Sequence, residues 1–120
     1  MNQLMAKHLN VNKHIDEFKP LLQSPDVQAA VMSLRPGGSS SEEVENEHPK
    51  AEQWLFVISG TGVATIGRRH FSLSASSMLL IPKNAPHQIT NTGRERLLTL
   101  NFYCPPAYTA SGNVRSSVCN

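Results

Sequence analysis

The segment QWLFVISGTGVATIG, residues 53–67, decides the fold class of this chain. Residues 53–59 are dominated by Trp, Phe, Val and Ile, whose bulky or β-branched side chains favour extended backbone. A glycine turn at residues 60–62 separates this run from a second predicted strand at residues 63–67. The segment is therefore predicted to form a β-hairpin.

Short strands with similar turn signals are predicted along the rest of the chain, at residues 26–35, 70–74, 77–82, 87–91 and 96–103. Strands that recur every 8–12 residues or so are typical of all-β sandwiches and barrels. Residues 14–25 are different, because the i, i+3 spacing of Ile15 and Phe18 predicts a helical turn, which Pro20 limits in length. We therefore expect an all-β domain preceded by a short helical or extended segment.

Composition limits the number of domains and the classes of partner. The 120 residues suffice for one domain, and the charged fraction of 17% favours a β-rich domain over a helical bundle. A net charge of +2, with scattered Lys and Arg, argues against nucleic acid or an anionic membrane as partner. Because the sequence has no signal-peptide pattern and no run of about 18–20 apolar residues, we expect a soluble, cytoplasmic protein.

Two segments resemble the sequence motifs of the cupins, a family of small β-barrels. Residues 46–60, NEHPKAEQWLFVISG, resemble the first motif, G-x5-H-x-H-x3-4-E-x6-G. Residues 82–91, PKNAPHQITN, resemble the second motif, G-x5-P-x-G-x2-H-x3-N. The resemblance implies a double-stranded β-helix, or jelly-roll barrel, at residues 26–108, with an N-terminal arm at 1–25 and a C-terminal tail at 109–120.

The cupin resemblance also implies a metal site inside the barrel. In this chain its ligands would be His48, Gln53 and His87, with Asn46 beside them, and they would bind a divalent Fe, Mn, Ni or Zn ion. Asn46 stands where the motif has its first His, so the site lacks one imidazole. Neutral amide oxygens attract a cation less strongly than a carboxylate does, and metal binding is therefore expected to be weak.

The residue at the acidic position of the first motif depends on how the spacing is counted. Counting back from Gly60 places Gln53 there, whereas counting forward from His48 places Glu52 there. Side chains alternate between the two faces of a strand, so an inward Gln53 implies an outward apolar row. This row would be Trp54, Phe56 and Ile58. The glycine turn anchors the strand register and favours an inward Gln53, while an inward Glu52 would restore a negative charge to the site.

Several positions outside the proposed ligands carry simpler expectations. The loop at residues 36–47 contains four Glu residues, which favour a solvated surface loop over a cation-binding role. His70 follows two Arg residues at a turn and is expected to be exposed. Ser76 and Asn84 replace glycines of the second motif, and Asn84 can still adopt a left-handed backbone.

The resemblance implies classes of function rather than a named substrate. One hypothesis is a metal-dependent enzyme, of dioxygenase or isomerase type, that acts on a small molecule in the barrel. The alternative is a non-catalytic module that binds a small-molecule ligand and has a degenerate or absent metal site. Under either hypothesis we expect a homodimer, because the outward row around Trp54 needs to be covered by another sheet layer or a second chain.

Overall fold

The computed structural model describes residues 6–115, which contain eight β-strands and one short 3₁₀ helix, Val11–His14. The strands are β1 (Phe18–Gln23), β2 (Gln28–Leu34), β3 (Glu52–Ser59), β4 (Gly62–Ile66), β5 (Arg69–Leu73), β6 (Met78–Ile81), β7 (His87–Asn91) and β8 (Leu97–Cys104). The all-β class is confirmed, and every strand predicted after residue 25 is present. No helix in the described range has the length and hydrophobicity needed to cross a membrane.

The strands form two antiparallel sheets that enclose the barrel interior. The larger sheet has the order β1-β2-β8-β3-β6, and the smaller sheet has the order β5-β4-β7. The first motif leads into β3 of the larger sheet, whereas the second motif leads into β7 of the smaller sheet. The interior between the sheets is therefore the place where side chains from the two motifs can meet.

The apolar core lies between the two sheets and sets the register of β3. Burial alternates along this strand, with Gln53, Leu55 and Val57 buried and the intervening side chains more exposed. Leu55 and Val57 belong to the same buried cluster as Ile81 and Ile89. Burying each of these aliphatic side chains contributes about 1.5–3 kcal/mol, which is enough to hold the register and to turn Gln53 inward.

The backbone conformations at three turns agree with the glycine positions of the two motifs. Gly60 has a φ of +95°, and a Cβ there would collide with the backbone of Arg96. Ser76 and Asn84 have φ values of 73° and 63°, so these two positions keep the left-handed backbone that glycine would adopt readily. The expectation for Asn84 is confirmed, and the same conformation occurs at Ser76.

The N-terminal segment is expected from the sequence to be helical or extended, and it is extended: a strand occupies residues 18–23, so the helical turn predicted from the spacing of Ile15 and Phe18 is wrong. Residues 18–23 form β1, which pairs antiparallel with β2 and lies at the edge of the larger sheet. Pro20 fits this position, because an edge strand need not donate every backbone N–H. The side chain of Phe18 packs against both hydrophobic clusters of the core. Long-range pairing with β2 therefore overrides the local i, i+3 spacing.

The outer face of the larger sheet carries exposed apolar side chains. Trp54 is 40% exposed, and its cross-strand neighbours Phe102 and Leu80 are 36% and 43% exposed. Phe56 and Ile58 are half-buried on the same face. The outward row predicted from the sequence is therefore present. Two strands, β2 and β8, lie between β3, which carries this row, and the N-terminal edge strand β1.

Candidate functional site

A cavity of about 420 Å³ lies inside the barrel. Phe18, Met32, Leu34 and Ile89 supply much of its apolar wall. The polar groups at its walls are contributed by the larger sheet, by the start of β7, by the loop before β3 and by the chain after β8; they include Glu47, Gln53, His87, Tyr103 and Tyr108. A mixed cavity of this size is typical of a small-molecule site.

His87 is the first residue of β7, and only one of its nitrogens is bonded. Its Nδ1 lies 2.9 Å from the carbonyl oxygen of Ala85, which only accepts, so Nδ1 carries the proton and donates. Its Nε2 is buried and has no hydrogen-bond partner among the described residues. Burial lowers the pKa of His87, which favours the neutral ring. Nε2 therefore keeps an unused lone pair, on a residue that lines the cavity.

An acidic side chain, Glu47, lies beside that lone pair. Its Oε1 lies 3.5 Å from Nε2 of His87, too far for a good hydrogen bond. Burial, assisted by the charge of Glu45, raises the pKa of Glu47 to about 7. The other three acids of the loop, Glu42, Glu43 and Glu45, are exposed as predicted. Glu47 departs from the prediction of a solvated loop because its side chain turns into the cavity.

His48 is buried beside His87, but both of its nitrogens are occupied. The two rings have centroids 4.8 Å apart. Nδ1 of His48 lies 3.0 Å from the carbonyl oxygen of Ala51, and Nε2 lies 2.8 Å from Oε1 of Gln53. His48 is therefore held by its own loop on one side and by β3 on the other.

The contact with Gln53 begins a buried hydrogen-bond chain across the larger sheet. Nε2 of Gln53 donates to Oδ1 of Asn101 at 2.8 Å, and Nδ2 of Asn101 donates to Oγ1 of Thr99 at 3.0 Å. With these amide orientations, His48 donates from both nitrogens. If both amides are reversed, Nε2 of His48 accepts from Gln53 instead. In either direction no nitrogen of His48 is left without a partner.

This arrangement does not fit a metal centre as it stands. Among residues 6–115 no group of three or more His, Cys, Asp or Glu side chains could hold a metal ion. A metal ligand needs a free lone pair, and Nε2 of His48 is engaged by Gln53. His87 has the free imidazole nitrogen, with Glu47 beside it. Metal binding would require Gln53 to release His48.

Aromatic rings close one side of the site. Tyr103 stacks edge-on between His48 and Tyr108, with ring centroids 5.0 and 4.9 Å away, and Phe18 lies 4.7 Å from Tyr108. Burial raises the pKa of both phenols, and the nearby Glu47 contributes to the same shift. Both tyrosines are therefore neutral, and their rings form an apolar wall.

The structure brings together three of the five residues proposed from the sequence. His48, Gln53 and His87 are buried in the barrel interior. Asn46 is exposed and does not line the cavity. Glu52 lies on the outer face, where its carboxylate accepts a 2.8 Å hydrogen bond from Nε1 of Trp54. The inward orientation of Gln53 is confirmed, whereas a ligand role for the three buried residues stays a prediction.

Four site residues were missed by the sequence analysis. Asn101 and Tyr103 could have been found, because Thr99, Asn101 and Tyr103 alternate onto one face of β8 in the same way as Gln53 does in β3. Tyr108 follows the last strand, where no periodicity applies. Glu47 lies in an irregular loop, so nothing in its local sequence separates it from the three exposed acids.

The family is decided by a match to the model of the cupin domain over residues 30–103, which is more than half of the chain. The chain belongs to the cupin family. The matched range contains both motifs and the strands β2 to β8, except for the first two residues of β2 and the last residue of β8. The jelly-roll barrel expected from the resemblance is thereby confirmed.

Relatives of this cupin differ in their named activities. It is 28% identical over 96 residues to mannose-1-phosphate guanylyltransferase of Klebsiella pneumoniae, covering 75% of this chain and 20% of the relative. It is 33% identical over 86 residues to oxalate decarboxylase of Arthroderma benhamiae, covering 67% and 20%. The chain thus spans about a fifth of the length of these relatives.

A solved structure shows the same fold over nearly the whole chain. A protein from Bacillus halodurans superposes with a TM-score of 0.77 at 24% sequence identity, covering 94% of this chain and 90% of that one. At this level of identity the likeness concerns the fold alone. The site chemistry must be argued from the residues of this chain.

Proposed function

We propose that this cupin domain binds a small polar molecule in its barrel, with His87 and Glu47 as the principal polar contacts. The observation that carries the proposal is the unpartnered Nε2 of His87, buried at the wall of a cavity of about 420 Å³. A buried polar atom without a partner costs about 1–3 kcal/mol, a cost that a ligand hydrogen bond would remove. The tyrosines and aliphatic side chains of the wall would contact the carbon skeleton of the ligand.

The proposal can be tested by NMR with ¹⁵N-labelled protein and a library of small polar fragments. We expect binding fragments to shift amide resonances of cavity residues such as Leu34 and Ile89, and to leave Met78 on the outer face unchanged. His87→Leu should abolish these shifts. The matched control is His70→Leu, because His70 is exposed and its side chain contacts Thr65, away from the cavity lining. Cavity shifts that persist unchanged in His87→Leu would contradict the proposal.

A divalent metal is the second candidate ligand, and it is the one that the cupin family implies. The free Nε2 of His87 beside Glu47 favours it, whereas the engagement of His48 by Gln53 opposes it. If a metal were bound, it would supply a Lewis acid for an enzymatic reaction on the ligand. Elemental analysis of purified protein tests this candidate. If the protein contains stoichiometric Fe, Mn, Ni or Zn, and the His48→Ala, His87→Ala double variant loses it, the metal is the ligand and the metal-free proposal is contradicted.

We also propose that the outer face of the larger sheet pairs with a second copy of the chain. Phe102, Trp54 and Leu80 form an uncharged cross-strand row, and Met78 beside it is 68% exposed. The same row on a second copy would cover this surface through a two-fold axis. Light scattering at micromolar concentration should give twice the monomer mass of 13.2 kDa, and Trp54→Lys should restore the monomer. A monomeric wild type would contradict the pairing.

A further inference from the structure

We propose that the ligand of the cavity is a hydroxyl compound, and that its O–H group donates a hydrogen bond to Nε2 of His87. This inference deepens the proposed function and rests on it. It names the chemical class of the ligand, which is a neutral molecule with at least one hydroxyl group on a compact carbon skeleton.

The first argument is the hydrogen-bond polarity of His87. The carbonyl oxygen of Ala85 can only accept, so its 2.9 Å contact assigns the ring proton to Nδ1. The neutral ring then has an acceptor, not a donor, at the buried Nε2. A ligand that satisfies this atom must bring a hydrogen-bond donor. Carbonyl, ether and carboxylate oxygens cannot do so.

The second argument is the position of Glu47. Its Oε1 lies 3.5 Å from the same Nε2, so one ligand group placed near both atoms would contact both. A hydroxyl can donate to Nε2 and accept from a protonated carboxyl group, and a pair of neighbouring hydroxyls can donate to Nε2 and to an ionised carboxylate. A hydroxyl compound is therefore compatible with either protonation state of Glu47.

The third argument is the charge of the cavity wall. Apart from His87 and the two tyrosines, its ionisable residues are Glu17, Glu47 and Arg35, and Arg35 is exposed. Among residues 6–115, the cavity wall offers no buried Lys or Arg side chain to an anionic ligand. A carboxylate bound at His87 would face a nitrogen lone pair and a carboxyl group of like charge. The wall therefore disfavours anions at this position.

The remaining wall fits an apolar skeleton. Tyr108 and Phe18 present rings 4.7 Å apart, and Met32, Leu34 and Ile89 add aliphatic surface. Two kinds of molecule combine a hydroxyl group with a compact carbon ring, namely phenols and cyclic polyols of the sugar type. They share the donor chemistry, and the experiment below distinguishes them.

The test measures dissociation constants by NMR titration with matched probes on the wild-type protein. The phenol series is phenol, anisole and benzoate, and the polyol series is methyl α-D-glucopyranoside and its fully O-methylated ether. We expect one hydroxyl probe to bind in the cavity at least about tenfold more tightly than its methyl ether, as for a hydrogen bond to an otherwise unpaired buried group. The series that shows this preference identifies the skeleton. Benzoate should bind more weakly than phenol.

For the variants, the quantity compared is the ratio of the affinity for the hydroxyl probe to the affinity for its methyl ether, which serves as an internal control. His87→Leu should bring the hydroxyl-to-ether ratio close to one, whereas His70→Leu should leave it unchanged. If ethers or benzoate shift the cavity resonances as tightly as the hydroxyl probes, the hydroxyl inference is overturned while the proposed binding function stands. If no probe shifts these resonances, both are overturned. The titrations with the two probe series need only the wild-type protein, so the inference remains testable even if a variant fails to fold.

Discussion

His48 and His87 are both buried, and the centroids of their rings lie 4.8 Å apart, yet the two rings differ in their hydrogen-bond partners. Both nitrogens of His48 are occupied, by the carbonyl oxygen of Ala51 and by Gln53. His87 uses Nδ1 alone and leaves Nε2 free. Two histidines at equivalent motif positions can therefore have different roles, because the role depends on which partners reach each ring. Here His48 is bound into the sheet, and His87 is available to a ligand.

The largest expected contrast is in stability when each ring is replaced by leucine. His48→Leu removes the partner of Oε1 of Gln53 and the side-chain partner of the carbonyl oxygen of Ala51, and should lower the free energy of unfolding by about 2–4 kcal/mol. His87→Leu removes the unpaired Nε2 together with one hydrogen bond, to the carbonyl oxygen of the half-buried Ala85, and should cost less, about 1 kcal/mol. Urea denaturation followed by Trp54 fluorescence measures both values. Equal losses would show that the two histidines are structurally equivalent.

The next contrast concerns the buried hydrogen-bond chain that holds His48. Gln53→Leu and Asn101→Leu each leave buried partners unsatisfied, whereas the double variant removes both ends of their 2.8 Å hydrogen bond. We expect the double variant to be more stable than the sum of the single losses predicts, with a coupling energy of about 1–2 kcal/mol. The same denaturation assay measures the full cycle. Additive losses would mean that Gln53 and Asn101 do not act as one chain.

The free energy of unfolding should also depend on pH, because of Glu47, the carboxyl group beside His87. The pKa of Glu47 in the folded protein, about 7, lies above its ordinary value of 4.5, so the folded state holds this proton more tightly than the unfolded state. The free energy of unfolding should therefore fall as pH rises from about 4.5 to 7. After allowance for the partial exposure of the carboxyl group, we expect a loss of about 1–2 kcal/mol.

Glu47→Gln is the variant that isolates this effect. His87 acts in the opposite direction, because its lowered pKa makes the folded state less stable as pH falls below the ordinary value of 6.5. The difference between wild type and Glu47→Gln, measured by denaturation at several pH values, removes the contribution of His87. A difference that is constant between pH 4.5 and 7.5 would contradict the buried position of Glu47.

The smallest expected effect tests how the turns around the second motif are maintained. Ser76 adopts a left-handed backbone with φ of 73°, and Ser76→Gly should raise the free energy of unfolding by about 0.5–1 kcal/mol. Asn84→Gly, at φ of 63°, should gain less, because Asn tolerates this conformation better. Thermal denaturation followed by circular dichroism measures both. A loss of stability in Ser76→Gly would show that its side chain has a compensating role.

Much of the fold and part of the site could be predicted from the sequence. Strand positions follow from β-forming runs between Gly, Pro and Asn signals, and the turn at Gly60 sets the register that turns Gln53 inward. The helical turn predicted around Phe18 failed, because spacing over a few residues carries no information about a distant partner strand. The exposed Asn46 and the inward Glu47 were not separable either, since alternation does not apply in an irregular loop.

The sequence by itself determined the cupin barrel, the inward face of β3 and the presence of two buried histidines, because each follows from local periodicity and motif spacing. Only the tertiary structure decided which histidine is free. Asn101 lies 48 residues after Gln53 and orients it towards His48 through the pairing of β3 with β8, while Glu47 meets His87 only where the loop before β3 crosses the start of β7. The hydrogen-bond partners of a buried imidazole come from distant parts of the fold. Which of its nitrogens is free can therefore be determined only from the tertiary structure.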